Sequence, residues 1–80
     1  MMGNIFPVGS RVRVASYGPF RGLKGTIQRV DTIAPTRPGE ERFCFYQIAL
    51  EGTSVREPIW FECHEVELVA LPFGVLQGRN

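Results

Sequence analysis

Eighty residues, 44% of them hydrophobic and 21% charged, make one domain, near the lower size at which a hydrophobic core holds a chain folded unaided. No apolar run approaches the roughly 20 residues of a membrane-spanning helix. The opening Met1-Met2-Gly3-Asn4-Ile5-Phe6-Pro7 lacks the basic and apolar regions of a secretory leader. These features predict a cytoplasmic protein without membrane contact. Its two cysteines, Cys44 and Cys63, are expected as free thiols, since two cysteines make no disulfide framework. The net charge of +1 conceals an asymmetry. Residues 1–30 carry five cations and no acid, whereas residues 31–80 carry four arginines against eight acids.

Residues 1–4 read as a loose end, with Ile5, Phe6 and Val8 available to extend the first strand or cover the bottom of a core. In Val8-Gly9-Ser10-Arg11-Val12-Arg13-Val14, two valines alternate with two arginines, the period-2 pattern of a half-buried strand. Gly18-Pro19-Phe20-Arg21-Gly22-Leu23-Lys24-Gly25 follows, three glycines and a proline in eight residues. Pro19 presets φ and glycine permits positive φ, so this stretch predicts a sharp loop with Phe20 at its exposed apex. Thr26 to Val30 returns as a second strand. Ile27 and Val30 are three apart, so burying both predicts a β-bulge between them.

Residues 31–42 (DTIAPTRPGEER) predict a long, mobile loop between strands two and three. Phe43 to Leu50 is the clearest strand, with Tyr46, Ile48 and Leu50 on the core face and Phe43 and Phe45 pointing outward with Gln47. Residues 51–54 turn the chain, and Pro58 suits the start of a strand or an edge. Ile59 to Cys63 predicts strand four, placing Trp60 on the outer side. His64 to Glu67 predicts a 3₁₀ turn, and Leu68 to Leu71 a short fifth strand. In the tail, residues 72–80, Phe73, Val75 and Leu76 are expected to fold back onto an apolar patch or dock on a second subunit. The expected inward set is Val12, Val14, Ile27, Tyr46, Ile48, Ile59 and Phe61. Five short strands joined by turns predict an all-β single domain, a small barrel with its core in about residues 8–71.

The first two strands and the loop between them, Val8 to Ile27, resemble the KOW motif, found in the C-terminal domain of transcription elongation factor NusG and in several ribosomal proteins. Glu57-Pro58-Ile59-Trp60-Phe61-Glu62 and Val66-Glu67-Leu68-Val69 look like the closing strand, turn and last strand of that domain. The resemblance covers roughly residues 8–69. It implies a five-stranded SH3-like barrel that docks on RNA, ribosomal protein or transcription machinery, with the Phe20 loop and the loop around Gly52 near the contact surface. The chain departs from the family in its longer loop at 31–42, in its much weaker basicity, and in having no NusG N-terminal domain.

The candidate binding residues are Arg11, Arg13, Phe20, Arg21, Lys24, Phe45 and Trp60. Arg11 and Arg13, two apart on one strand, project from the same side. With Arg21, Lys24 and Arg29 they are expected to hold phosphates, while outward aromatics stack on bases or anchor a protein partner. The first expectation is a contact with RNA or a ribonucleoprotein. The second is a protein-binding or self-assembling module using the aromatic face. No cofactor, metal or catalytic residue is expected. The glycine loop lacks the order of a nucleotide-binding loop and no helix follows it. Adjacent Cys63 and His64 point to opposite sides and do not share a tetrahedral ion readily. His64 sits among Glu62, Glu65 and Glu67, with no nucleophile to serve. The enzymatic precedent on a similar scaffold, the plasmid-type dihydrofolate reductase, carries Val-Gln-Ile-Tyr where this chain has Ile59-Trp60-Phe61-Glu62, so no catalytic role carries over.

Overall fold

The computed structural model describes residues 5–73. Five strands form one antiparallel sheet: β1 (Arg11–Val14), β2 (Lys24–Ile33), β3 (Phe43–Leu50), β4 (Ile59–Glu62) and β5 (Val66–Ala70). Their order is β4-β3-β2-β1-β5. A three-residue 3₁₀ turn, η1 (Cys63–Glu65), links β4 to β5. Among the described residues no helix is long and apolar enough to cross a membrane.

The alternation read from the sequence places the core. Val12, Val14, Ile27, Tyr46, Ile48 and Phe61 are buried together with Val66, while Ile59 packs half-buried at their margin. Tyr46, with no exposed surface, is the largest of the fully buried side chains. Its phenol oxygen accepts the Phe6 backbone N–H at 2.8 Å, and the Phe6 ring stacks on it at 5.9 Å. Phe6 thus covers one end of the core, whereas Ile5 and Val8 stay exposed. The expected bulge is present: the β2–β3 register shifts between Ile27 and Arg29, so Ile27 pairs with Ile48 and Val30 with Tyr46. The extra residue turns both apolar side chains to one face.

The glycines of the first connection have different tasks. Gly18 and Gly22 have positive φ, +148° and +91°, and the loop is pinned where Gly22 N–H donates to the Val14 carbonyl at 2.8 Å. Gly25 lies inside β2, buried and opposite Leu50, so it belongs to the sheet and not to the loop.

Several boundaries differ from expectation. β2 continues through Ile33, because Asp31, Thr32 and Ile33 pair with Phe45, Cys44 and Phe43. The connection is therefore residues 34–42, where the Glu40 carboxylate accepts the Thr36 and Arg37 backbone N–H groups. β4 ends at Glu62, and the 3₁₀ turn begins at Cys63, capped reciprocally by Glu62 and Glu65. β5 starts at Val66, whose side chain is buried opposite Val14. In the tail, Phe73 is 76% exposed. The expectations for residues 1–4, Val75 and Leu76 fall outside the described residues.

The cysteines correct the expectation of free thiols. Cys44 and Cys63 are joined as a disulfide, with Cα atoms 5.4 Å apart, inside the usual bridging range. The β3–β4 ladder explains their meeting. Phe45 faces Glu62 and Tyr46 faces Phe61, so the next position beyond the ladder sets Cys44 opposite Cys63.

Candidate macromolecular interface

Each cation of β1 is held by a carboxylate distant in sequence. Arg11 Nη2 lies 2.8 Å from Glu51 Oε1, and Arg13 Nε lies 2.9 Å from Glu67 Oε2. Glu67 stands directly opposite Arg13 across the β1–β5 pair, and Lys24 opposite it on β2. Arg11 and Arg13 do share the outer side, as alternation predicts, but each is half-buried and charge-matched. Arg21, exposed at the loop, places its guanidinium over the Tyr17 ring, 4.7 Å from the centroid, a cation–π contact. Among the described residues Arg21, Lys24 and Arg29 form no salt bridge.

Phe20 corrects the expectation of an exposed apex. Its ring turns inward and meets Phe61 edge-on, 6.3 Å between centroids at 82°, and it packs half-buried against the core. Tyr17, 87% exposed, is the aromatic that projects from this loop instead. Together Ser16, Tyr17, Pro19, Phe20, Phe61 and Glu65 line a shallow pocket of about 150 Å³.

A second surface lies on the outer side of β2, β3 and β4. Cross-strand pairing arranges it in rows: Arg29, Gln47 and Trp60; then Asp31, Phe45 and Glu62; then Ile33 and Phe43. Trp60 is 44% exposed, Phe43 53% and Ile33 50%, while Phe45 is half-buried. The Phe43 and Phe45 rings stack at 6.5 Å and 22°. Trp60 faces outward as expected, since its neighbour Phe61 takes the core side. The acids beside these rings are Asp31 and Glu62, and His64 Nδ1 lies 3.4 Å from Glu62 Oε1.

The sequence-derived residues thus divide between two regions of one sheet. Arg11, Arg13 and Lys24 occupy the β1–β2 region, and Phe45 and Trp60 the β3–β4 region. Three strand spacings separate β1 from β4, about 14 Å along the sheet. Phe20 joins neither surface. Phe43, Ile33 and Arg29 belong with Phe45 and Trp60; the period-2 reading of β3 already contained Phe43, whereas Ile33 depended on knowing that β2 runs on. Among the described residues no three His, Cys, Asp or Glu side chains converge as a metal site.

No known protein family, curated protein or solved structure matches this chain.

Proposed function

We propose that this chain is a non-enzymatic docking module that engages a protein partner through the outer face of β2, β3 and β4. The observation that carries this reading is the continuity of Trp60, Phe45, Phe43 and Ile33 over three cross-strand rows, edged by Arg29, Asp31 and Glu62. Rigid aromatics at the centre and charges at the rim are the composition of a protein interface. Two acids among these rings disfavour an RNA backbone at the same place, because they add like charge beside phosphates. The ion pairs of Arg11 and Arg13 point the same way, since phosphate contact there would have to displace Glu51 and Glu67.

The proposal includes an SH3-like barrel of KOW type acting in the cytoplasm, in transcription or translation. Five antiparallel strands with a 3₁₀ turn before the last support that architecture, and the resemblance at Val8 to Ile27 supports that setting.

A second reading, contact with RNA, draws on Arg21, Lys24 and Arg29, which form no salt bridge among the described residues. Its signature is salt dependence, log K falling by about 0.7 per phosphate contact for each decade of salt on single strands.

The two readings separate in a pull-down from native lysate, run with and without nuclease. The protein-partner reading expects a partner that survives nuclease, is lost with Trp60→Ala and is kept by Arg11→Ala/Arg13→Ala. Loss of every partner on nuclease treatment, or retention by Trp60→Ala, overturns it.

A further inference from the structure

We propose that Cys44 and Cys63 form a reversible thiol–disulfide latch that fixes η1, and through it the Ser16–Phe20 loop and the pocket beneath it, against the sheet. The bridge sits one position beyond the last β3–β4 pair, Phe45 with Glu62. The backbone pairs of that ladder reach this point without it, and both cysteines pack at the margin of the core, outside the buried set Val12, Val14, Ile27, Tyr46 and Ile48.

Cys63 is the first residue of η1 and Glu65 the last. Glu65 then holds the loop at three points. Its backbone carbonyl accepts the Ala15 and Ser16 N–H groups at 2.8 and 3.2 Å, and its Oε1 accepts the Ser16 hydroxyl at 2.9 Å. Its Oε2 accepts the Glu62 N–H at 3.0 Å, closing the cap on the turn itself. Glu65 and Phe61, on either side of Cys63, both line the pocket with Ser16, Tyr17, Pro19 and Phe20. One end of a three-residue turn is thus bonded to β3 and the other carries a pocket wall.

Both cysteines are half-buried, which leaves a path for a thiol reductant. The thiolate of a dithiol attacks one sulfur and forms a mixed disulfide, releasing the other protein sulfur to take a proton. The second thiol of the reductant then closes its own disulfide and frees the first protein sulfur, which also takes a proton. Two electrons and two protons pass to the protein, and the dithiol is oxidised. In a thiol-reducing compartment the latch is open; oxidation by a disulfide of the glutathione type closes it.

The test uses the intact chain, equilibrated with dithiothreitol or with oxidised glutathione, and Cys44→Ser/Cys63→Ser as a permanently open form. Alkylation counts two thiols per chain after dithiothreitol and none after oxidised glutathione. Two-dimensional NMR then shows the reduced chain folded, with resonances moved in residues 15–20 and 62–66 and the double variant matching the reduced spectrum. Ala15 and Ser16 amides exchange faster on reduction by about tenfold more than do those of Tyr46 and Ile48. Equal acceleration at all four amides means a staple of the whole fold and overturns the latch. So does a bridge that dithiothreitol cannot reduce in the folded chain, a pair that oxidised glutathione never closes, or a spectrum changed only beside the two cysteines.

Discussion

Gly25→Ala tests a close approach between β2 and β3. A methyl group built at Gly25 would stand 2.5 Å from the Ala49 carbonyl oxygen, 2.7 Å from Ile48 Cγ2 and 3.1 Å from the Ala49 carbonyl carbon. Ordinary contact begins near 3.4 Å, so backbone of the neighbouring strand would have to recede by about 0.9 Å. Flexible side chains can yield that much; a carbonyl in the longest ladder of the sheet cannot without breaking pairs beside it. Overpacking costs about 1–3 kcal/mol, and a wall of backbone puts this case near 3. A domain of this length has about 4–12 kcal/mol in total, and each kcal/mol is worth about 4–8 °C. The expected fall in Tm is therefore about 12–24 °C by circular dichroism. Gly22→Ala is the control: nothing lies within 4 Å of its added methyl, and only the positive φ is penalised, by about 1–2 kcal/mol. A Gly25→Ala chain melting within about 5 °C of the parent, or above Gly22→Ala, would refute the packing argument.

Four further outcomes follow from particular contacts. Ser10 is fully buried and its hydroxyl has no partner among the described residues, so Ser10→Ala should raise stability by about 1 kcal/mol in urea titration. Burial raises the Tyr46 pKa above the ordinary 10.0, and the Phe6 N–H opposes this in part. Because the folded state holds the proton more tightly than the unfolded one, this contribution is complete below about pH 10 and is lost as pH rises through the folded pKa. Tyr46→Phe should flatten that alkaline decline while costing about 1–2 kcal/mol at neutral pH, read from urea melts across pH. Glu67→Gln should shift stability by less than about 1 kcal/mol in urea titration, because Glu67 is exposed and its partner Arg13 only half-buried, so water screens the pair. Trp60→Ala should leave Tm within a few degrees of the parent, since Trp60 stands outside the core, while abolishing partner capture.

What could be read from the chain alone was whatever a local period decides. Tyr46 inward and Phe45 outward, Trp60 outward and Phe61 inward, and the bulge after Ile27 all follow from which side successive residues take. What could not be read depended on contacts between distant segments. Arg11 and Arg13 were legible as a same-side pair, but their acids lie 40 and 54 residues away. Phe20 turns inward because Phe61 offers it an edge-on partner, and nothing in the loop's own glycines announces this. Cys44 meets Cys63 only once the β3–β4 register is known. Asp31 and Thr32 are polar enough to pass for loop, yet β3 supplies their partners, so β2 outruns its apolar pattern.

The unequal strand lengths have a practical corollary. β2 and β3 stay paired out to Ile33 and Phe43, whereas β4 accompanies β3 only from Ile48 to Phe45. The far end of that hairpin is two-stranded and carries residues 34–42 beyond the last β3–β4 pair. Splicing a reporter peptide into this tip should leave the rest of the domain able to form, since doubling a flexible connection costs only about 0.6 kcal/mol in closure entropy. That makes it the natural place to attach a probe.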